Sequence, residues 1–185
     1  MRRASAVTGP AAVPVIVAAV FRAVNFGLSE RAWAMQIETS RFGAVQIEAD
    51  DILLFPHGLI AFEDCRHWVL LSDAQNDSLG WLQSVSRAEV ALPVISPRRF
   101  VPGYQVRVAR SQLLPLELTQ FDQAYLLTIV SQDGPSLTVN LKAPIVVNLD
   151  RRLGRQVITT DEQPVALVIG GRLTTLQPTL LRKSA

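Results

Sequence analysis

The chain has 185 residues, 49% of them hydrophobic and 18% charged, with a mean hydropathy of +0.24. That apolar content is too high for a disordered polymer, and the length fits one globular domain with tails, or at most two small ones. No apolar run approaches the roughly 20 residues of a spanning helix, and a single cysteine, Cys65, excludes an intramolecular disulfide. The formal net charge of +2 is unevenly placed: residues 35–170 hold 11 basic and 15 acidic side chains, and only the ends are basic. An acidic body suits a protein partner with a basic surface better than a phosphate backbone, which wants a basic one.

Residues 1–34 begin with Arg2 and Arg3 before an apolar run broken by Pro14, the outline of a secretory signal. Arg22, Glu30 and Arg31 make its tail overlong and charged, so the segment reads as an extension, disordered or created by a misassigned start, with Met35 as the true beginning. The expected location is therefore the cytoplasm. From Met35 the pattern has period two. Residues 36–39 and 44–48 alternate around Arg41, Phe42 and Gly43 and predict a hairpin. Residues 52–55 and 68–71 are short apolar strands, and 90–95 reads as an edge or bent strand because Pro93 cannot donate to a central ladder. Residues 104–108 alternate cleanly. Residues 111–122, interrupted by Pro115, offer a turn or two of helix. Strands at 125–130 and 137–141 flank an Asp-Gly-Pro reversal, strands at 145–148 and 156–159 flank a charged link, and 165–169 is the last. This spacing predicts an all-β fold: a compact antiparallel β-barrel-like domain over 35–170, of about nine or ten short strands, with flexible terminal extensions at 1–34 and 171–185. A barrel is favoured over an open sheet because few Lys or Pro residues are placed to blunt an edge.

Chemistry-bearing clusters are sparse. His57, Cys65 and His67 lie close in sequence, but their spacing matches no common ligand pair. They read as two surface histidines beside a half-buried cysteine, and neither metal nor cofactor is expected. Asp50-Asp51 and Glu63-Asp64 are sequence neighbours that an extended chain sends to opposite faces, so they read as turn acids. No serine sits in a nucleophile elbow, and Gly170-Gly171 lacks the residues of a phosphate loop. No catalytic residues are assigned and no enzymatic activity is expected. The alternative function is an RNA-binding barrel acting directly on transcripts, with Arg98, Arg99, Phe100, Tyr104, Arg107 and Arg110 as a basic and aromatic surface. Against it, Arg107 and Arg110 are oddly spaced on a straight strand, and the body is acidic.

From Asn140 the chain reads Asn-Leu-x-Ala-Pro-Ile-x-x-Asn, through Leu141, Ala143, Pro144, Ile145 and Asn148, followed by Gly154, Gln156, Val157 and Ile158. Upstream, in order, stand Phe42-Gly43, Gly58-Leu59-Ile60-Ala61-Phe62-Glu63, Trp81-Leu82-Gln83-Ser84 and Val94-Ile95-Ser96-Pro97. Together they resemble the FliW-type flagellar assembly factors over about Met35 to Ile169. One departure is Ala61, where the family usually has glycine and where a tight turn would call for positive φ. The resemblance implies a non-enzymatic cytoplasmic protein, monomeric when free, with two protein partners. These are flagellin, kept from premature assembly, and CsrA, a small dimeric RNA-binding repressor prevented from silencing flagellin messages. It implies no direct nucleic-acid or membrane partner. The partner-binding candidates are Phe62, Glu63, Asn140, Lys142, Asn148 and Gln156. Asn140 and Asn148 either hold a bend beside Pro144 by side-chain hydrogen bonds, or Asn148 is displayed with Gln156 to a partner. If these residues meet a partner, Asn148→Ala together with Glu63→Lys should weaken partner binding while preserving the melting temperature. Phe62 and Glu63 read either as a core aromatic with a solvated acid or as an anchor with an acidic rim.

Overall fold

The computed structural model describes residues 35–73, 76, 78–120 and 123–170, so the expectations for 1–34 and 171–185 lie outside the described residues. Strands β1 (Met35–Thr39) and β2 (Gly43–Ile47) form the expected hairpin, in register from Met35 opposite Ile47 to Thr39 opposite Gly43. The Thr39 hydroxyl ties its loop, donating to the Gly43 carbonyl at 2.9 Å and accepting from the Phe42 amide at 2.9 Å. Nine further strands follow: β3 (Ile52–Leu54), β4 (His67–Ser72), β5 (Leu79–Ser84), β6 (Ala91–Ile95), β7 (Ala124–Asp133), β8 (Ser136–Val139), β9 (Ile145–Asn148), β10 (Leu153–Gln156) and β11 (Leu167–Gly170). Between β6 and β7 lies one short helix, α1 (Arg110–Leu113), continued by a 3-10 turn at Leu114–Leu116, which is the broken helical turn expected around Pro115.

Seven strands close into a barrel in the order β3-β4-β5-β6-β7-β9-β10, and β10 returns to β3 through the parallel pair Leu153 and Leu54. The expected all-β barrel is therefore present, with eleven strands among the described residues. β8 and β11 extend the sheet beyond β7. Alternation divides the apolar side chains between two layers. Leu53, Phe55, Trp68, Leu70, Leu82 and Ile145 fill the barrel interior. Their sequence neighbours Val69, Leu71, Trp81 and Val146 face outward, where Ile37 and Val45 of the hairpin and Tyr104 and Leu116 cover them.

Three local expectations are corrected, and one strand, β5, has no counterpart among them. β5 carries no visible alternation because all six of its residues are buried, the barrel packing one face and the hairpin the other. β6 lies inside the sheet rather than at an edge. Pro93 is tolerated because the ladder to β7 runs only through Val94 and Ile95, ending just before it. Residues 104–108 join no ladder: Tyr104, Val106 and Val108 lie as an extended cover on the outer layer, which imposes the same period of two. The strand expected at 156–159 begins earlier, at Leu153, because Gly154 is a strand residue rather than a turn residue. Any Cβ there would strike the ring of the fully buried Phe55, so only glycine lets β10 close against the interior.

Candidate functional site

β8 and β9 lie one after the other along the same flank of β7, with Val139 opposite Val130 and Ile145 opposite Leu127. Five residues on this flank face two of β7, so residues 140–144 bulge outward. The Asn140 side chain shapes this bulge: its Oδ1 accepts from the amides of Lys142 at 2.9 Å and Ala143 at 3.1 Å, an Asx-type turn. The Thr128 hydroxyl holds the Asn140 carbonyl at 2.7 Å, and the Tyr104 hydroxyl donates to the Leu141 carbonyl at 2.6 Å. Pro144, which lacks a donor, follows, and Ile145 then drops into the interior. The Lys142 ammonium donates to the Asp161 carbonyl at 2.8 Å. Asp161's own carboxyl is held below its ordinary value, chiefly by the Gln163 side-chain hydrogen bond, with Arg107 and Lys142 adding to it.

A second loop reaches this bulge. Leu59 and Phe62 exchange backbone hydrogen bonds, closing a tight turn with Ile60 and Ala61 at its tip. Ala61 has φ of 70°, the left-handed value anticipated from the glycine usual there. The tip is held by side chains: Glu63 Oε1 accepts from the Ala61 amide at 3.0 Å, and Gln156 Oε1 accepts from the Ile60 amide at 2.9 Å. Gln156 Nε2 donates to the Ala143 carbonyl at 3.1 Å, joining turn to bulge. Beneath the tip, half-buried Phe62 packs edge-on against Trp68, with ring centroids 6.4 Å apart, and the Trp68 indole donates to the Cys65 carbonyl at 2.9 Å. Outward stand Ile60, 53% exposed, and the Glu63 carboxylate. Left-handed backbone costs a non-glycine residue roughly 1–2 kcal/mol. Ala61→Gly should therefore raise stability by about 0.5–1 kcal/mol after the extra freedom of glycine in the unfolded chain is offset, read as a rise of a few degrees in Tm.

Phe62, Glu63, Asn140, Lys142 and Gln156 are thus brought to one region, through the bulge and the turn. Asn148 is not. It is 1% exposed, and its Nδ2 donates to the carbonyls of Leu116 at 2.8 Å and Glu117 at 3.4 Å while its Oδ1 accepts from the Arg151 amide at 3.3 Å. It pins the 3-10 turn to the end of β9. Asn140 alone holds the bend before Pro144, while Asn148 is neither part of that bend nor displayed. Gln156 has both polar ends turned inward. Ile60 and Ile158, each 53% exposed, are surface features that residue type alone does not reveal, since apolar residues in alternating runs read as core.

The remaining clusters form no site of their own. His57 and His67 are exposed, whereas Cys65 is fully buried rather than half-buried, and no group of three His, Cys, Asp or Glu residues converges among the described residues. Tyr104, offered as a base-stacking residue, is 3% exposed, and burial with Asp161 nearby pushes its phenol up to about 12. An apolar cleft of about 240 Å³ lies between Val106, Leu113 and Leu118 and the outer face at Leu126 and Val146, with Arg98 at its rim. No helix among the described residues is long and apolar enough to cross a membrane.

Comparison with known proteins gives one consistent result. The family model described as FliW protein matches residues 36–166. A flagellar assembly factor FliW from Bdellovibrio bacteriovorus is 42% identical over 129 residues, covering 69% of this chain and 74% of its own. One from Natranaerobius thermophilus is 38% identical over 127 residues, covering 67% and 84%. A crystal structure of the flagellar assembly factor FliW superposes with a TM-score of 0.66 at 30% identity, covering 74% of this chain and 96% of that one. The chain belongs to the FliW family of flagellar assembly factors.

Proposed function

We propose that the protein works by binding, in the cytoplasm and as a monomer when free, with flagellin and CsrA as its two partners. Holding flagellin keeps it from assembling early. Holding CsrA relieves repression of flagellin synthesis. Because both draw on one pool, export of flagellin releases the factor to capture CsrA, a coupling by mass action. The observation that carries the reading is the Ile60–Glu63 tip: an exposed apolar side chain and a carboxylate with no ion pair among the described residues, on a turn tied to the barrel through Gln156 and the Phe62–Trp68 contact. An apolar anchor with an acidic rim suits a partner that presents apolar groups among basic ones. RNA-binding proteins carry basic surfaces because they neutralise phosphates, which favours CsrA as a match for the acidic body. In this reading Phe62, Glu63 and Lys142 make the contact surface, and Gln156, Asn140 and Asn148 hold its frame.

Titration calorimetry of the purified protein against flagellin, CsrA and a target RNA tests the proposal. Separate complexes with the two proteins and none with RNA are expected. Glu63→Lys should weaken CsrA binding about tenfold, the order of a rim charge reversed against a basic partner, and, because the Ala61 amide also loses its acceptor, lower Tm by a few degrees. Absence of both complexes, or tight and steeply salt-dependent RNA binding, would overturn it.

A further inference from the structure

We infer that Gln156 is a positioning residue, a latch that fixes the shape of the Ile60–Glu63 tip before any partner arrives. The inference rests on the tip being a contact surface. Gln156 bridges two loops far apart in sequence: its oxygen takes the Ile60 amide, 96 residues away, and its nitrogen gives a hydrogen to the Ala143 carbonyl. Neither end is left to meet a partner directly. The anchoring side is rigid, because Ala143 belongs to the bulge that Asn140 caps and Val157 reinforces by donating to the Pro144 carbonyl at 2.9 Å.

The held side is not rigid by its own preference. Ala61 sits at φ of 70°, a conformation alanine avoids when free. Within the turn itself only the Leu59 and Phe62 exchange and the Glu63 carboxylate oppose relaxation. Without the Gln156 oxygen the Ile60 peptide loses its partner outside the turn, and its orientation becomes one of several. A partner would then have to order the tip on binding, which subtracts from affinity without removing any contact. Any side chain at this position of β10 can complete the strand, but only one with an acceptor and a donor on one carboxamide spans from tip to bulge.

Amide hydrogen exchange with partner titration separates this role from a general structural one. In Gln156→Met, of similar length but without either hydrogen bond, exchange at Ile60 and Ala61 should rise at least about tenfold while amides of β4, β5 and β9 are unchanged. Kd for flagellin or CsrA, whichever the wild-type protein binds, should rise about tenfold. Gln156→Glu, which keeps an oxygen for Ile60 but sets a carboxylate against the Ala143 carbonyl, should give exchange there between the wild-type and Gln156→Met rates. If Gln156→Met fails to fold, Gln156→Asn, one methylene too short to bridge both groups, is read the same way. Unchanged exchange at Ile60 would overturn the latch, as would faster exchange with unchanged Kd for both partners. If the wild-type protein binds neither partner, the proposed function falls, while the exchange arm still judges whether Gln156 fixes the tip.

Discussion

Gly58→Ala is expected to lower the unfolding free energy by about 3 kcal/mol, the sum of left-handed strain and a packing clash, and to drop Tm by roughly 10 °C for a domain of this size. Gly58 has φ of 66°, and its amide donates to the Phe55 carbonyl at 2.9 Å where the chain leaves the barrel interior. A methyl group there would stand 2.5 Å from the Glu63 Cα and 2.5 Å from the Phe62 carbonyl oxygen. Both are backbone atoms of the returning limb, so no rotamer change relieves the contact. Either the turn opens or Phe55 shifts in the core, and both outcomes displace Ile60 from Gln156. Thermal melting with and without a partner checks this: the variant should melt early and also bind weakly at temperatures where it remains folded. A Tm within two degrees of wild type would show that the turn is not held as described.

Asn148→Ala should cost about 2–3 kcal/mol, because it leaves a buried carbonyl without its donor and removes packed atoms. Leu116 is fully buried, and the Asn148 carboxamide is the donor given to its carbonyl. The same side chain caps Arg151 at the start of the reversal into β10, where Arg152 takes φ of 54°. Asn148→Asp should cost at least as much, since a carboxylate would face the Leu116 carbonyl where an N–H now stands. Chemical denaturation measures the loss, and partner affinity per folded molecule should be unchanged for Asn148→Ala. Weakened binding at full stability would instead make Asn148 a displayed contact.

The elements legible in the sequence are those with one buried face. β1 and β2 alternate because the hairpin packs one side on the barrel, and β3, β4, β7 and β9 announce themselves by apolar runs bounded by turn residues. β5 was hidden for the opposite reason, since Trp81 faces outward and Leu82 inward and both are buried. Gly154 conceals the start of β10, because a glycine required by a neighbour's ring looks the same in a sequence as one required by a turn. In the candidate site, the polar residue types around Pro144 were visible, but their direction was not. Asn140 and Asn148 turn inward to cap backbone groups, and Gln156 spans between loops that no local pattern could bring together. Ala61 is the instructive exception: its strained φ was foreseeable from the glycine expected at that place.

Hydrogen-exchange footprinting of the protein with CsrA bound, and separately with flagellin bound, tests most directly whether the tip and bulge form the working surface. Slowed exchange at 60–63 and 142–143, with the β4 and β5 amides unaffected and no change on adding RNA, is the expected result. A footprint confined to the segment 98–110, or protection produced by RNA alone, would contradict it.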